Sequence, residues 1–199
     1  HLILRMKAEM VVLGYDNHFG KNREGSIAFI EKHFAGQLAT ISIDVAKVDE
    51  VIVSSSQIKK YLSEGDVAKA KAMLGNHFSI AGIVVHGNQN GRKIGFPTAN
   101  MSLNSDNKFI PQLGVYVSRV EISEGTYYGL TNMGYRPTLN KDDGIHIETH
   151  ILNYEGDLYG QPIEIQFLEE IRSEKRFDSF DELKNQIAAD LAWATEYLA

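Results

Sequence analysis

Short apolar stretches in the second half of the chain constrain the fold more than any other feature. They are rich in β-branched and aromatic residues, and Gly, Asn, Asp or Pro separates them. They comprise residues 80–85, 115–122, 127–133, 145–152 and 163–168. Five or six strands at this spacing favour a small antiparallel barrel or sandwich.

A helix is predicted to follow the last of these strands. Ser179 and Glu182 form an S-x-x-E capping box, in which each side chain bonds a backbone N–H of the first turn. Apolar residues then recur at helical spacing. They are Phe180, Leu183, Ile187, Leu191, Ala194 and Leu198. We therefore expect one amphipathic helix that packs against the sheet.

The first 75 residues have a different pattern. An apolar strand at 11–13 runs into the loop GYDNHFGKNREG, a helix is predicted from Ile27 to Phe34, and residues 39–45 suit a second strand. A serine run at 54–56 and Asp66 are positioned to cap two further helices that end at Gly65 and Gly75. Strand, helix and strand in this order indicate an α/β nucleotide-binding domain. The sequence thus predicts an α+β protein with domains at 1–75 and 76–199.

Composition excludes several classes of protein. The formal net charge of -6 argues against a general nucleic-acid surface, and the absence of cysteine excludes disulfides and thiolate metal sites. No apolar run is long enough to span a bilayer, and no signal-peptide pattern is present, so we expect a cytoplasmic protein without a membrane partner. The chain opens at His1 within a helix-like pattern, and we expect residues to precede it.

A glycine-rich segment at 86–100, HGNQNGRKIGFPTAN, has the composition of a phosphate site. Glycines allow close approach of a ligand to the backbone, and cations with exposed N–H groups attract phosphate. The candidates are Gly87, Gly91, Arg92, Lys93, Gly95, Pro97 and Thr98. Thr98 and Asn100 add neutral oxygens that suit Mg²⁺. This is not a Walker A loop, since its glycine spacing is too short and no GK[ST] follows, and a glycine-rich turn without a ligand is the alternative.

Residues 145–151 alternate in polarity, with Ile145, Ile147, Thr149 and Ile151 on one face and His146, Glu148 and His150 on the other. The polar face could be simply solvated. Glu148 is alternatively a carboxylate able to take a proton from a substrate hydroxyl. A third possibility is an iron or zinc site of His146, Glu148 and His150. Such residues lie roughly 6 to 7 Å apart on a flat strand, too far to grip one ion without a bulge.

Two weaker signals are GYRPT at 134–138 and Arg172. The guanidinium of Arg172 can stack on an aromatic ligand. It can also form ion pairs with Glu169, Glu170 or Glu174, each worth about 0 to 1 kcal/mol.

Six segments in order resemble the kinase module of the bacterial bifunctional riboflavin kinase and FAD synthetase (FMN adenylyltransferase) family. They are GRKIGFPTAN (91–100), GVY (114–116), NMGYRPT (132–138), IETHIL (147–152), DLYGQPI (157–163) and IRSEKRF (171–177). The resemblance implies a six-stranded antiparallel barrel with a C-terminal helix. It also implies transfer of the γ-phosphate of ATP to the ribityl 5′-hydroxyl of riboflavin, giving FMN and ADP.

The resemblance also implies roles for single residues. Thr98 and Asn100 fall where the family coordinates Mg²⁺, and Glu148 falls where it keeps its general base. Phe96, Asn100 and Arg172 fall at flavin-binding positions. A non-catalytic flavin or nucleotide carrier with the same barrel is the alternative.

The first 75 residues resemble the end of the adenylyltransferase module. The matching positions are Gly14, Asp16, Phe19, Gly20, Arg23, Ser54, Ser55, Ser56 and Lys59. Lys59 stands where an arginine is usual, and the H-x-G-H motif that this module uses is absent from the 199 residues. We therefore expect a complete kinase module, an incomplete adenylyltransferase module and no FAD synthesis.

Overall fold

The computed structural model describes residues 5, 7–14, 16–87, 89–103, 109–135 and 144–199. The chain divides into two compact units, residues 1–53 and residues 54–199.

The first unit contains a parallel pair of strands linked through a helix. Strand β1 (Met10–Gly14) pairs with β2 (Ala39–Ile43), and helix α1 (Ile27–Phe34) lies between them in sequence. The Ser26 hydroxyl accepts a hydrogen bond from the Phe29 N–H at 3.2 Å and so caps α1. The predicted strand–helix–strand order is confirmed. A hairpin of β3 (Lys47–Val48) and β4 (Val51–Ile52), which the sequence pattern did not predict, completes this unit.

The second unit begins with the two predicted helices, α2 (Ser55–Ser63) and α3 (Val67–Leu74). Ser54 caps α2 by accepting from the Gln57 N–H, and Asp66 caps α3 by accepting from the Lys69 N–H. Both helices pack into the core that also fills the barrel, through Leu62 of α2 and Ala70 of α3. Along the chain, the division between the two units falls between residues 53 and 54, and the domain boundary at 75 and 76 stays a prediction.

The rest of the second unit is a closed barrel, which decides between the predicted barrel and sandwich. Its strands are β5 (Ser79–Val85), β6 (Ala99–Leu103), β7 (Gly114–Ile122), β8 (Gly125–Tyr135), β9 (Ile145–Ile151) and β10 (Pro162–Ser173). They close in the order β10-β5-β6-β9-β8-β7, and all neighbours are antiparallel. The apolar pattern did not predict strand β6, because the polar residues Asn100 and Ser102 alternate with its apolar residues. The one-turn helix α4 (Asn90–Lys93) lies between β5 and β6.

Three buried hydroxyls form a polar chain among the apolar side chains inside the barrel. Ser118, Thr131 and Thr149 are almost fully buried on adjacent strands, and they form a chain of hydrogen bonds of 2.6 and 2.9 Å. Because each buried hydroxyl has a partner, the chain does not carry the cost of an unpaired polar group. Ile147 and Ile151 point inward beside Thr149, which confirms the predicted apolar face of β9.

The outer face of the barrel is partly covered by helix α5 (Phe180–Leu198). Ser179 caps this helix, since its hydroxyl accepts from the Glu182 N–H at 3.2 Å, as the capping box predicted. Ala194 is fully buried against Val115, Val117 and Leu130. In the described part of the chain, no helix is long and apolar enough to cross a membrane.

Candidate functional site

The site residues predicted on different strands lie in one row across the barrel. Asn100 of β6 is opposite Glu148 of β9, and Glu148 is opposite Asn132 of β8. Asn132 is opposite Val115 of β7, and Val115 is opposite Arg172 of β10. Opposed residues have Cα atoms about 4.5 to 5.5 Å apart. The antiparallel register thus places a carboxylate, two amides and a guanidinium in one row that runs from strand to strand across the barrel wall.

This row lies on the outer face of the sheet. The neighbours of Glu148 in β9, Ile147 and Thr149, are buried inside the barrel, so Glu148 points outward. The loop before β6 covers one side of the row, and helix α5 covers the other. The polar face of β9 is therefore partly enclosed by protein.

Thr98 and Glu148 form the contact between the loop and β9. The Thr98 hydroxyl donates to Glu148 Oε2 at 3.4 Å, a long hydrogen bond. The His150 ring bonds the Pro97 carbonyl through Nδ1 at 2.8 Å and meets the Phe96 ring edge-on at 5.8 Å. These contacts hold residues 96–98 against β9.

Asn100 presents a buried side-chain oxygen at the site. Its side chain is 7% exposed, and its Oδ1 is buried without a hydrogen-bond partner. Leaving such a group unpaired costs about 1 to 3 kcal/mol. Gly87 lies against this amide, since a Cβ there would be 2.3 Å from Asn100 Oδ1. The oxygens of Thr98, Asn100 and Glu148 are of the type that Mg²⁺ prefers, so these residues fit that ion.

The alternative metal site of His146, Glu148 and His150 is not formed. Among the described residues, no group of three or more His, Cys, Asp or Glu side chains is placed to hold a metal. Strand β9 pairs with β8 in a continuous register from Ile145 to Ile151, without the bulge that would bring alternate residues together.

Two clefts meet at Thr98. The first, of about 460 Å³, lies between Arg92 and Pro97 on one side and Tyr154, Leu158 and Tyr159 on the other. The second, of about 310 Å³, lies over the row of site residues. Thr98 lines both clefts. Two ligands bound in the two clefts would therefore approach each other at this residue.

The second cleft is lined by polar groups of the barrel and by both apolar side chains and Asp190 of helix α5. Asn132, Glu148 and Arg172 contribute the polar groups from the barrel, while helix α5 contributes Leu183 and Ile187. Phe96 and Phe177 add aromatic rings. Such a cleft suits a largely apolar ligand that carries a few polar groups.

Arg172 is not paired as the sequence suggested. Instead of Glu169, Glu170 or Glu174, its partner is Asp190 of helix α5, with Nη2 to Oδ2 at 2.9 Å. The pairing could not be found from local sequence, because the two residues meet only when α5 docks on β10. A signal did exist, since Asp190 stands among the apolar residues Ile187, Leu191 and Ala194 on the helix stripe.

The glycine-rich segment forms a tight loop around helix α4. A Cβ at Gly91 would be 2.3 Å from the Phe96 carbonyl oxygen, and Gly95 has a φ of +91° that favours glycine. Arg92 and Lys93 are exposed on α4, and Arg92 borders the first cleft. In the motif GYRPT, residues 136–138 lie outside the described part of the chain.

The residues that resemble an adenylyltransferase lie in both units. Gly14 ends β1, and Asp16, Phe19, Gly20 and Arg23 follow it in the first unit, where Phe19 pairs with Gly25. Ser54, Ser55, Ser56 and Lys59 lie at the start of α2 in the second unit. The Lys59 ammonium lies 5.8 Å from the centre of the Phe109 ring. Their nucleotide-binding role stays a prediction.

The fold and site define a class of protein in which a small closed β-barrel carries two neighbouring clefts that share one residue, Thr98. The family model described as "Flavokinase: Riboflavin kinase" matches residues 74–198, which is more than half of the chain. The chain belongs to the riboflavin kinase family.

Curated relatives carry two activities in their name, "bifunctional riboflavin kinase/FMN adenylyltransferase". The relative from Escherichia coli K12 is 37% identical over 202 residues, covering 98% of this chain and 62% of its own length. The relative from Pseudomonas fluorescens is 37% identical over 183 residues, covering 92% and 58%. The one from Bacillus subtilis is 33% identical, covering 99% and 63%. The chain thus spans about three fifths of the length of the relatives it matches.

A solved structure shows the same fold over nearly the whole chain. It is described as a macrolide-efflux protein from Streptococcus pneumoniae, with a TM-score of 0.85, 32% identity, and coverage of 96% of this chain and 61% of that one. Efflux is that neighbour's description, whereas the family of this chain rests on the match over residues 74–198.

Proposed function

We propose that this protein is a riboflavin kinase that transfers the γ-phosphate of ATP to the ribityl 5′-hydroxyl of riboflavin, giving FMN and ADP. The observation that carries the proposal is Thr98, which lines both clefts and contacts Glu148. In this arrangement ATP occupies the first cleft and riboflavin the second, with the reacting groups meeting beside Thr98 and Glu148.

The first cleft suits a nucleotide at both of its ends. Val84 and Leu158 offer apolar surface for a base, and Arg92 offers a positive charge for phosphates. We assign the phosphates to the glycine-rich loop because Arg92 of that loop lines this cleft and loops of this type commonly present backbone N–H groups to phosphate. Gly91, Lys93 and Pro97 belong to the same proposed phosphate site.

Thr98 and Asn100 would hold the magnesium ion, with the Glu148 carboxylate beside them. The unpaired Oδ1 of Asn100 supports this assignment. Bound magnesium would neutralise negative charge on the transferring phosphate. Gly87 would keep the Asn100 amide in place, because its missing side chain leaves room for that amide.

Glu148 acts as the general base in this proposal. Its carboxylate lies at the junction of the clefts and takes the proton of the 5′-hydroxyl as the new O–P bond forms and ADP departs. A positioned base contributes about 10²- to 10⁴-fold to the rate. Positioning and charge neutralisation supply most of the rest.

Riboflavin binds in the second cleft, with its ring system between helix α5 and the barrel. Arg172 presents its guanidinium plane to the ring, and Phe96 lies at the side nearest the loop. Asn100 stands at the ribityl end, close to Glu148. The apolar side chains of α5 exclude water from the ring.

The test is incubation with riboflavin and magnesium ATP, followed by chromatographic separation of flavins. We expect FMN to form and FAD to be absent, since no H-x-G-H motif occurs in the 199 residues. A carrier would bind both ligands and yield no FMN, which would contradict the proposal. FAD formed from added FMN and ATP would contradict the assignment of residues 1–75 as an incomplete adenylyltransferase domain.

A longer form of the protein is proposed to add the second activity. The relatives are named as bifunctional and are longer than this chain by a wide margin. Under this proposal, residues 76–199 form the kinase domain, and residues 1–75 belong to a domain that converts FMN and ATP into FAD. A cytoplasmic location and the absence of nucleic-acid partners stay predictions.

A further inference from the structure

Helix α5 contributes a charged group to the second cleft that no motif identified. Asp190 lines this cleft together with Arg172, and its side chain is only 3% exposed. Charged side chains are rarely buried to this degree unless they are paired. A carboxylate buried at the wall of a cleft therefore needs a positively charged or hydrogen-bonding partner.

The carboxylate of Asp190 accepts several hydrogen bonds from the guanidinium of Arg172. Arg172 Nε donates to Oδ1 at 3.2 Å and to Oδ2 at 3.0 Å, while Nη2 donates to Oδ2 at 2.9 Å. Gln186 Nε2 donates to the same carboxylate at 2.8 Å. Bidentate pairing of this kind fixes the plane of a guanidinium as well as its position.

Two further contacts restrain the guanidinium of Arg172. Nη1 donates to the Ser173 carbonyl at 3.3 Å, and the guanidinium carbon lies 5.6 Å from the centre of the Phe177 ring. The head group is thus held from three directions before any ligand binds. Pre-organisation of this type lowers the entropic penalty of binding.

We infer that Asp190 is a positioning residue for riboflavin: it holds the Arg172 guanidinium in the plane that the flavin ring contacts, without touching the flavin itself. This inference rests on the proposed function. If it is right, loss of Asp190 weakens riboflavin binding selectively, because the arginine loses its fixed orientation. ATP binding in the first cleft is untouched.

The experiment compares Asp190→Asn with Leu191→Ala in the full chain. Leu191 packs against the hydrophobic cluster under α5 that contains Val115, Val117, Leu130 and Ala194, but it does not line the cleft. Its truncation is therefore a control for weakened docking of the helix. Riboflavin affinity is read from quenching of flavin fluorescence, ATP from its KM, and folding from the melting temperature. We expect Asp190→Asn to weaken riboflavin binding about tenfold. A change of this size lies within the range of interaction energies found between residues in contact. The KM for ATP stays within twofold, and Leu191→Ala leaves riboflavin affinity unchanged.

A double-mutant cycle separates action through Arg172 from a general effect on the fold. In an Arg172→Met background, Asp190→Asn should no longer change riboflavin affinity. Should Asp190→Asn prove insoluble, Asp190→Glu retains the charge while displacing the guanidinium, and it is scored by the same criteria.

The inference is overturned by any of three results. They are wild-type riboflavin affinity in the Asp190 variant, an equal loss in Leu191→Ala, or an undiminished effect in the Arg172→Met background. Failure of the proposed function is recognised separately, because the wild-type chain would then bind no riboflavin or form no FMN.

Discussion

Thr98 and Glu148 are 50 positions apart in the chain, yet the threonine hydroxyl donates a hydrogen bond to the glutamate carboxylate at 3.4 Å. The contact joins the glycine-rich loop to strand β9 at the junction of two clefts. A phosphate donor held by the loop and a hydroxyl acceptor held beside β9 would meet at this point.

Replacing Glu148 with Gln should lower the turnover of riboflavin to FMN by about 10²- to 10⁴-fold, because the amide cannot accept the proton. Riboflavin affinity should change little, since the amide is nearly the same shape. Initial rates and fluorescence titrations measure the two quantities. Glu164→Gln on β10, which lines neither cleft, is the matched control. Near-normal turnover in the Glu148 variant would remove this residue from its catalytic role.

Replacing Asn100 with Leu should separate stability from activity. The substitution removes a buried oxygen that has no partner, which relieves a penalty of about 1 to 3 kcal/mol, so the free energy of unfolding should hold or rise. Activity should collapse, and any residual rate should require much more magnesium. Denaturant unfolding and a magnesium titration of the initial rate provide the measurements. A variant that is fully active at the wild-type magnesium concentration would show that Asn100 holds no ion.

Replacing Gly87 with Ala should displace the Asn100 side chain, because the added Cβ would be 2.3 Å from the Asn100 amide. A misplacement of about 1 Å at a reacting centre can cost up to about a hundredfold in rate. Gly144→Ala is the control, since among the described residues, its chain neighbours aside, no atom lies within 4 Å of a Cβ built there. Comparable rates for the two variants would contradict a role for Gly87 in shaping the site.

Lowering the pH should destabilise the protein through His77. Burial, together with the nearby positive charges of Lys71 and Arg119, lowers the pKa of His77 below its ordinary value of 6.5. The unfolded state therefore binds the proton more readily than the folded state. The contribution of His77 to the free energy of unfolding is fully present above about pH 6.5, and it is lost as the pH falls towards the lowered pKa of the folded state.

The variant His77→Asn should flatten this dependence, because asparagine does not titrate and its Nδ2 stands near the position of the histidine Nδ1 that bonds the Phe167 carbonyl. Urea unfolding of both proteins at pH values from about 5 to 8 measures the slope. Values at the upper end serve as the control, since His77 is then neutral in both states. Parallel curves for the two proteins would show that another group sets the slope.

Much of the fold could be predicted from sequence because local patterns specify it. The alternation of Ile147, Thr149 and Ile151 with polar residues identifies β9 and its buried face, and Ser54, Asp66 and Ser179 cap helices where predicted. Strand β6 was not predicted, because its outward residues are polar. Its pairing with β5 and β9 makes it a strand, and its apolar content does not. The closure of the barrel also depends on long-range pairing.

For the candidate site, the sequence by itself determined the chemistry: a glycine-framed basic loop, a threonine and an asparagine close together, and a carboxylate on an alternating strand. Tertiary structure decided how these groups combine. The antiparallel register places Asn100, Glu148 and Arg172 in one row, and the docking of helix α5 gives Arg172 its partner Asp190. Residue type and spacing are local properties, whereas register and helix docking depend on contacts between distant segments, which form only when the barrel closes.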